Sequence, residues 1–289
     1  MSPSRQRRFG TNSSDSNTAP PRGAVGDPVL TWLGEEPCAG AGIDIFRWNH
    51  YISQMIIFKD LTEMLPLTER KEIFTDTLVT WCRRECRDFP WRHNRTPYSI
   101  FVAEILLKRT TSKAASRVFN DFIARYPTIQ VLASSDPYDL ERLIAPIGLY
   151  KQRSAGLQEA AKYIISKFQG FFPSTLEALM SIPHIGKYTA ACILSFGMNI
   201  PAPTVDSNAD RVLKRVFMDE LGVNASLNRV TGIAWDLLPS DEHVLFNYGL
   251  IDFGALICTY SSCCKRDCPL HKICHYFQLS EQKVEQLSE

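Results

Sequence analysis

A chain of 289 residues, 45% of them hydrophobic, can bury a sizeable core, so disorder throughout is excluded. A formal net charge of +1 announces no nucleic-acid partner by itself. No apolar run is long enough to span a bilayer and no hydrophobic segment follows the basic N-terminal residues, which argues against a membrane or secreted protein and predicts an intracellular one, in cytoplasm or nucleoid, or in the nucleus of a eukaryote.

Residues 1–28 are rich in Ser, Pro, Gly, Asn and Arg and read as a disordered tail; residues 29–67 carry short apolar patches such as YISQMIIF and form an extension of unassigned role. From Leu67 the pattern turns helical. LTERKEIFTDTLVTWCRREC runs to the stop at FPWR, where Pro90 cannot continue a helix. Then PYSIFVAEILLKRT, KAASRVFNDFIARY, DPYDLERLIAPI, RSAGLQEAAKYIISKF, TLEALMSI, KYTAACILSFG, NADRVLKRVF and the stretch Asn228 to Leu238 show apolar spacing near 3.6, parted by Pro, Gly or Asp-Pro. No run alternates with period two. The expectation is an all-α protein of about ten helices.

Charge is concentrated locally. Between Trp81 and Arg117 stand nine Lys or Arg and three Asp or Glu, enough for a phosphate-holding surface, although a solvated helix face carries such runs as well. Five of the nine cysteines (Cys258, Cys263, Cys264, Cys268 and Cys274) crowd one end, which points to a metal or cluster site more than to disulfides. Cys82 and Cys86 lie one helical turn apart and read as core packing.

The segment IPHIGKYTAACILSFG joins two helices by a tight turn. The first amides of the second helix point outward, Gly186 lets a backbone approach, and Lys187 adds a cation, so the turn suits a phosphate; an ordinary helix connection fits equally well. Asp206 follows the bend IPAPTVD and precedes NADRVLKRVF, where it reads as an N-cap or as a carboxylate that stabilises a cationic sugar carbon and orients water. These two readings are compatible.

Taken in order, FPWR, PYSIFVAEILLKRTT, IGLYKQR, IPHIGKYTA, the Asp206 segment, FNYGLIDFGALIC and CPLHKIC, over roughly residues 72–277, resemble the helix-hairpin-helix, Gly/Pro-loop, Asp signature of the DNA base-excision glycosylase superfamily. Within it the chain is most similar to the thymine/uracil mismatch glycosylases, with MutY-type adenine glycosylases next. The resemblance implies a two-lobed helical fold. A six-helix domain with the hairpin (96–205) and a cluster-containing domain (68–95 and 206–277) flank a cleft, and 278–289 form a C-terminal tail. Asp206 is implied as the catalytic carboxylate, with Tyr188 standing 18 residues before it, where strand-cutting members carry Lys. Lys187 is adjacent, but one residue turns a helix by about 100°. Glu104 is implied as the carboxyl that meets the extruded base. Arg109 and Leu149 match inserting side chains, with Lys151 and Arg153 basic beside them; His184, Gly186 and Lys187 belong to the phosphate-holding hairpin. His184 replaces the usual Gly, at a position that favours a left-handed backbone.

CTYSSCCKRDCPLHKIC resembles the family's [4Fe–4S] loop, with Cys258, Cys268 and Cys274 in place and Cys264, preferred over Cys263, as the shifted second ligand; structural zinc is the competing reading. The expected function is a monomeric, monofunctional DNA glycosylase that removes thymine or uracil opposite guanine from double-stranded DNA, with no membrane partner. Two alternatives stand beside it. Adenine removal opposite 8-oxoguanine or guanine is disfavoured because adenine enzymes usually carry a further C-terminal domain and only 15 residues follow Cys274. A catalytically silent DNA-binding protein is the other.

Overall fold

The computed structural model describes residues 65–261 and 267–288, so the tail at 1–28, nearly all of the extension at 29–67, and Cys263 and Cys264 lie outside the described residues. Among the described residues every regular element is helical. Helix α1, Leu67–Glu85, begins behind Pro66, carries Glu69 in its first turn and Arg83 and Arg84 in its last, and buries Phe74, Leu78, Val79 and Trp81. Acid at the start and base at the end match the helix dipole.

Helix α2, Pro97–Leu107, starts with a capping box in which the Thr96 hydroxyl accepts from Ser99 N and the Ser99 hydroxyl accepts from Thr96 N. Pro97 occupies the first turn, where its missing amide costs nothing. Ile100, Phe101, Val102, Ala103, Ile105 and Leu106 are all buried, so α2 runs through the interior. Around it lie α3 (Ser112–Arg125), α4 (Ile129–Ala133), α5 (Pro137–Ile144), α6 (Tyr150–Phe168), α7 (Leu176–Met180) and α8 (Lys187–Cys192). Side-chain oxygens of Thr111, Thr128, Asp136 and Thr175 cap α3, α4, α5 and α7.

The second group comprises α9 (Ser207–Val216), α10 (Met218–Leu221), α11 (Leu227–Leu237), α12 (His243–Leu256) and α13 (His275–Ser288). Two hydrophobic cores result. One gathers Phe101, Phe122, Leu140, Leu157 and Ile193; the other gathers Phe74, Leu78, Val212, Phe217, Phe246 and Phe253. Phe74 meets Phe217 and Phe246 edge-on, with centroids 5.2 and 6.2 Å away. The all-α, two-lobed arrangement therefore stands. The iron–sulfur part of that expectation does not, because no set of ligating side chains is assembled among the described residues.

Buried Asp252 ties the FPWR segment to α12. It accepts from Arg87 N at 2.7 Å, Arg87 Nε at 2.9 Å and Arg92 Nη1 at 2.8 Å. Burial opposes its charge, but the hydrogen bonds from Arg92 and Arg87 outweigh burial and hold the carboxyl below its ordinary range.

Two elements differ from expectation. KYTAACILSFG is not one α-helix: α8 ends at Cys192 and a π-helical turn follows over Ile193–Gly197. A Cβ at Gly197 would lie 2.8 Å from Pro97 Cα, so this turn is shaped by its close approach to the start of α2. Residues 278–288, expected as a tail, continue α13, whose Phe277 is buried. Cys82 and Cys86 pack in and against the core as expected, and are in addition joined in a disulfide across 4.6 Å between Cα atoms.

Candidate active site

Asp206 caps α9. Its Oδ1 accepts from Asn208 N at 2.9 Å and Ala209 N at 2.8 Å, and its Oδ2 accepts from Asn208 Nδ2 at 2.9 Å. A carboxylate offers about four acceptor positions, so three are filled and one remains on a half-buried side chain. The Asn208 amide is oriented in turn: Arg211 Nη2 donates to Asn208 Oδ1 at 3.0 Å and to Gly254 O at 2.6 Å, while Arg211 Nε donates to Cys258 O at 2.9 Å. With Oδ1 taken by a guanidinium, Nδ2 faces Asp206. A Cβ at Gly254 would lie 2.7 Å from Asn208 Cβ, so glycine lets α12 press against the first turn of α9.

The loop that leads to Asp206 is held from α12. Buried Asn247 donates through Nδ2 to Ala202 O at 2.8 Å and to Ser195 Oγ at 2.9 Å, and its Oδ1 accepts from Thr204 N at 3.1 Å. Ser195 Oγ lies 3.0 Å from His243 Nδ1. Burial lowers the His243 pKa, against a backbone hydrogen bond at Asn199 that raises it.

Glu104, on α2, reaches the same place from the other core. Burial pushes its carboxyl up to about 7; a Cys192 hydrogen bond opposes this, the Asp206 charge adds to it, and Lys108 opposes it. Tyr188, in the first turn of α8, is raised well above its ordinary value by burial, then by Cys192, Glu104 and Asp206. Cys192 is fully buried, hydrogen-bonded to both Tyr188 and Glu104, and its thiol is likewise raised, by burial first. The structure thus brings Asp206, Glu104 and Tyr188 within electrostatic reach of one another, with Cys192 between the last two. Lys187, one position from Tyr188, is exposed instead.

In the hairpin, Ile182 and Ile185 are buried and anchor the turn, while Gly186 is exposed and no side chain caps the amides after it. His184 adopts φ 67°, the left-handed backbone expected there. Its ring is engaged within the protein: Nε2 lies 2.7 Å from Glu159 Oε2 and Cγ lies 3.2 Å from where a Gly156 Cβ would be. Its carbonyl accepts from Lys108 Nζ at 2.8 Å. Arg109 and Leu149 are both exposed and both left-handed, with φ 54° and 51°. Lys151 is exposed. Arg153 is not a surface cation: it is buried and its guanidinium is spent on backbone carbonyls, which removes it from direct phosphate contact.

A family model described as "HhH-GPD superfamily base excision DNA repair protein" matches residues 102–225. The thymine/uracil-DNA glycosylase of Methanothermobacter thermautotrophicus is 32% identical over 211 residues, 73% of this chain and 96% of that protein. The chain belongs to the HhH-GPD superfamily. The thymine-DNA glycosylase of Aeropyrum pernix is 35% identical over 217 residues, 72% of this chain and 96% of that protein. The solved structure of a thermostable thymine-DNA glycosylase superposes with a TM-score of 0.69 at 32% identity, covering 73% of this chain and 98% of that one.

The metal site that the HhH-GPD resemblance implied is corrected. Among the described residues, no three or more His, Cys, Asp or Glu side chains come together as a metal would require. A [4Fe–4S] cluster on Cys258, Cys264, Cys268 and Cys274 is therefore not supported, nor is a zinc in its place, and the iron–sulfur and metal-binding expectations fall with it. Cys258, Cys268 and Cys274 instead line a cavity of about 140 Å³ whose other walls include Val212, Val216, Phe253 and Leu270. Burial raises the Cys268 thiol, and a backbone hydrogen bond at Leu270 opposes this. Cys258 Sγ accepts from Arg215 Nη1 at 3.3 Å and Cys274 Sγ donates to Arg215 O at 3.7 Å, so protein groups engage these sulfurs. Cys263 and Cys264 lie outside the described residues.

Sequence reasoning missed Cys192, Asn208, Arg211 and Asn247. Cys192 stands four residues after Tyr188, one helical turn on and so on the same face, and Asn208 stands two residues after Asp206 at an N-cap. Those spacings were the available signals. Nothing local marks Asn247 or Arg211. Among the described residues no helix is long and apolar enough to cross a membrane.

Proposed function

We propose that the chain is a monofunctional DNA glycosylase of base-excision repair, which hydrolyses the N-glycosidic bond of thymine or uracil mispaired with guanine in double-stranded DNA. The observation that carries this reading is the convergence of Asp206, Glu104 and Tyr188 from three helices in one cluster, in a chain similar over most of its length to thymine- and uracil-acting enzymes. The target nucleotide leaves the stack and its C1′ faces the Asp206 carboxylate. As the C1′–N1 bond breaks, both electrons go to the base and the sugar carbon becomes cationic; the carboxylate stabilises that charge. Water then adds to C1′, and its proton passes to Asp206 or to the departing base anion. Ionised Glu104 accepts the N3–H of thymine or uracil. Tyr188 presents a phenol where a strand-cutting enzyme would present an amine, and Lys187 is exposed elsewhere, which supports base removal without backbone scission. Gly186 and Lys187 hold the backbone phosphate, and Arg109 and Leu149 fill the vacated space, with Lys151 beside them.

Duplexes that contain G·T, G·U, A opposite 8-oxoguanine or only normal pairs test this reading. Alkali-dependent breaks at thymine and uracil alone are expected. Breaks at adenine would move the enzyme to the adenine class, breaks without alkali would refute the monofunctional assignment, and no breaks would favour a silent binder.

A further inference from the structure

Arg153 sits in the first turn of α6 and is 4% exposed. Its guanidinium reaches two separate loops. Nη1 donates to Ile105 O at 2.6 Å and to Leu106 O at 3.0 Å, and Nη2 donates to Lys108 O, all at the C-terminal end of α2. Nε donates to Gly148 O at 2.9 Å, in the turn before α6. The last carbonyls of a helix have no partner within it, so a planar cation with several donors is well suited to cap them. Both capped loops lead straight into an exposed side chain: Arg109 comes directly after Lys108, and Leu149 directly after Gly148. Both have a left-handed backbone that L-residues seldom adopt, and such conformations persist only where the surroundings hold them. Lys108 extends the tie, because its Nζ donates to His184 O in the hairpin.

We propose that Arg153 is a positioning residue that locks the Arg109 loop to the Leu149 loop, so that both side chains enter the duplex as one unit when the target base leaves the stack. This rests on the reading of Arg109 and Leu149 as inserting side chains. Arg153 never touches DNA and acts only through the two loops. A lysine at 153 keeps the charge but, as a point donor, cannot span both loops.

The test uses the full chain and a G·T duplex with 2-aminopurine beside the thymine, whose fluorescence rises when the stack opens. Four proteins are compared: the unchanged chain, Arg153→Lys, the Arg109→Ala/Leu149→Ala pair, and all three changes together. Arg153→Lys should lower the extrusion constant on the order of tenfold or more, as expected for ångström-scale misplacement. Affinity for matched DNA, read by anisotropy, should hold. Added to the paired alanines, Arg153→Lys should lower extrusion no further. An equal fractional loss in that background, or unchanged extrusion by Arg153→Lys alone, would overturn the proposal. Full extrusion by the paired alanines would overturn the inserting-residue reading itself and the proposal with it, a distinct outcome. If Arg153→Lys does not fold, hydrogen exchange on the unchanged chain decides: the amides around residues 108–110 and 148–150 should gain protection in one kinetic phase on binding mismatched DNA, and two separate phases would refute the lock.

Discussion

Replacing Glu104 by Gln should make the protein more stable and, above neutral pH, less active. Burial raises the Glu104 carboxyl from 4.5 to about 7, so at higher pH the fold carries a charge that its surroundings resist. A displacement of that size corresponds to about 3 kcal/mol between the protonated and ionised forms. Because the folded pKa lies above the unfolded one, this contribution is fully present below about 4.5 and is lost as pH rises through about 7. Glutamine has no charge to desolvate. The Glu104→Gln protein should therefore match its parent near the acid end and pull ahead progressively, reaching an advantage of up to about 3 kcal/mol above neutrality. Urea unfolding of both proteins at about pH 5 and about pH 8 measures the difference directly. Over the same range the parent's single-turnover rate should rise with Glu104 ionisation, whereas the variant's rate should stay low and flat. A stability gap that is identical at both pH values would refute the reasoning, because it would mean that the carboxyl is not held away from its charged form.

Asn247→Ala removes the hydrogen bonds that hold Ala202 and Thr204, leaving buried groups unpaired; unfolding stability should fall by about 2–4 kcal/mol and kcat should fall more than duplex affinity. Gly254→Ala places a methyl 2.7 Å from Asn208 Cβ, so the cap around Asp206 must shift; excision should slow at least tenfold, on the order of what a small misplacement costs, while mismatch binding persists. Tyr188→Lys sets an amine beside Glu104 and Asp206, and borohydride trapping on a uracil duplex should then capture a covalent protein–DNA adduct that the parent does not form.

Most of the helices were legible because their ends are chemically marked. Pro90, Pro97 and Pro137 and the Thr and Asp caps punctuate the apolar repeat clearly. The short helices at Ile129–Ala133 and Met218–Leu221 carry too few residues for a period to show. The π turn after Cys192 has no local signal, because it arises where Gly197 meets Pro97 across the fold. Arg153 shows the same limit: a sequence displays a cation but not the carbonyls that surround it, and so a buried cap read as a DNA contact. Cys192 was passed over: its place four residues after Tyr188 signals a shared helix face, but nothing in the sequence shows the Glu104 carboxyl that reaches it from another helix. The cysteine spacing near the C-terminus pointed to a metal, whereas Cys258, Cys268 and Cys274 line a largely apolar cavity and Arg215 donates to Cys258 Sγ.

The central claim, that the Asp206 carboxylate supports departure of the base, is tested most directly by the single-turnover excision rate of Asp206→Asn on a G·T duplex, with affinity for the same duplex measured in parallel. Asparagine still caps a helix, so the change isolates the charge. The account predicts a loss of about 10²- to 10³-fold or more in rate with affinity held within a few-fold. Excision by the asparagine protein at close to the parental rate would contradict it.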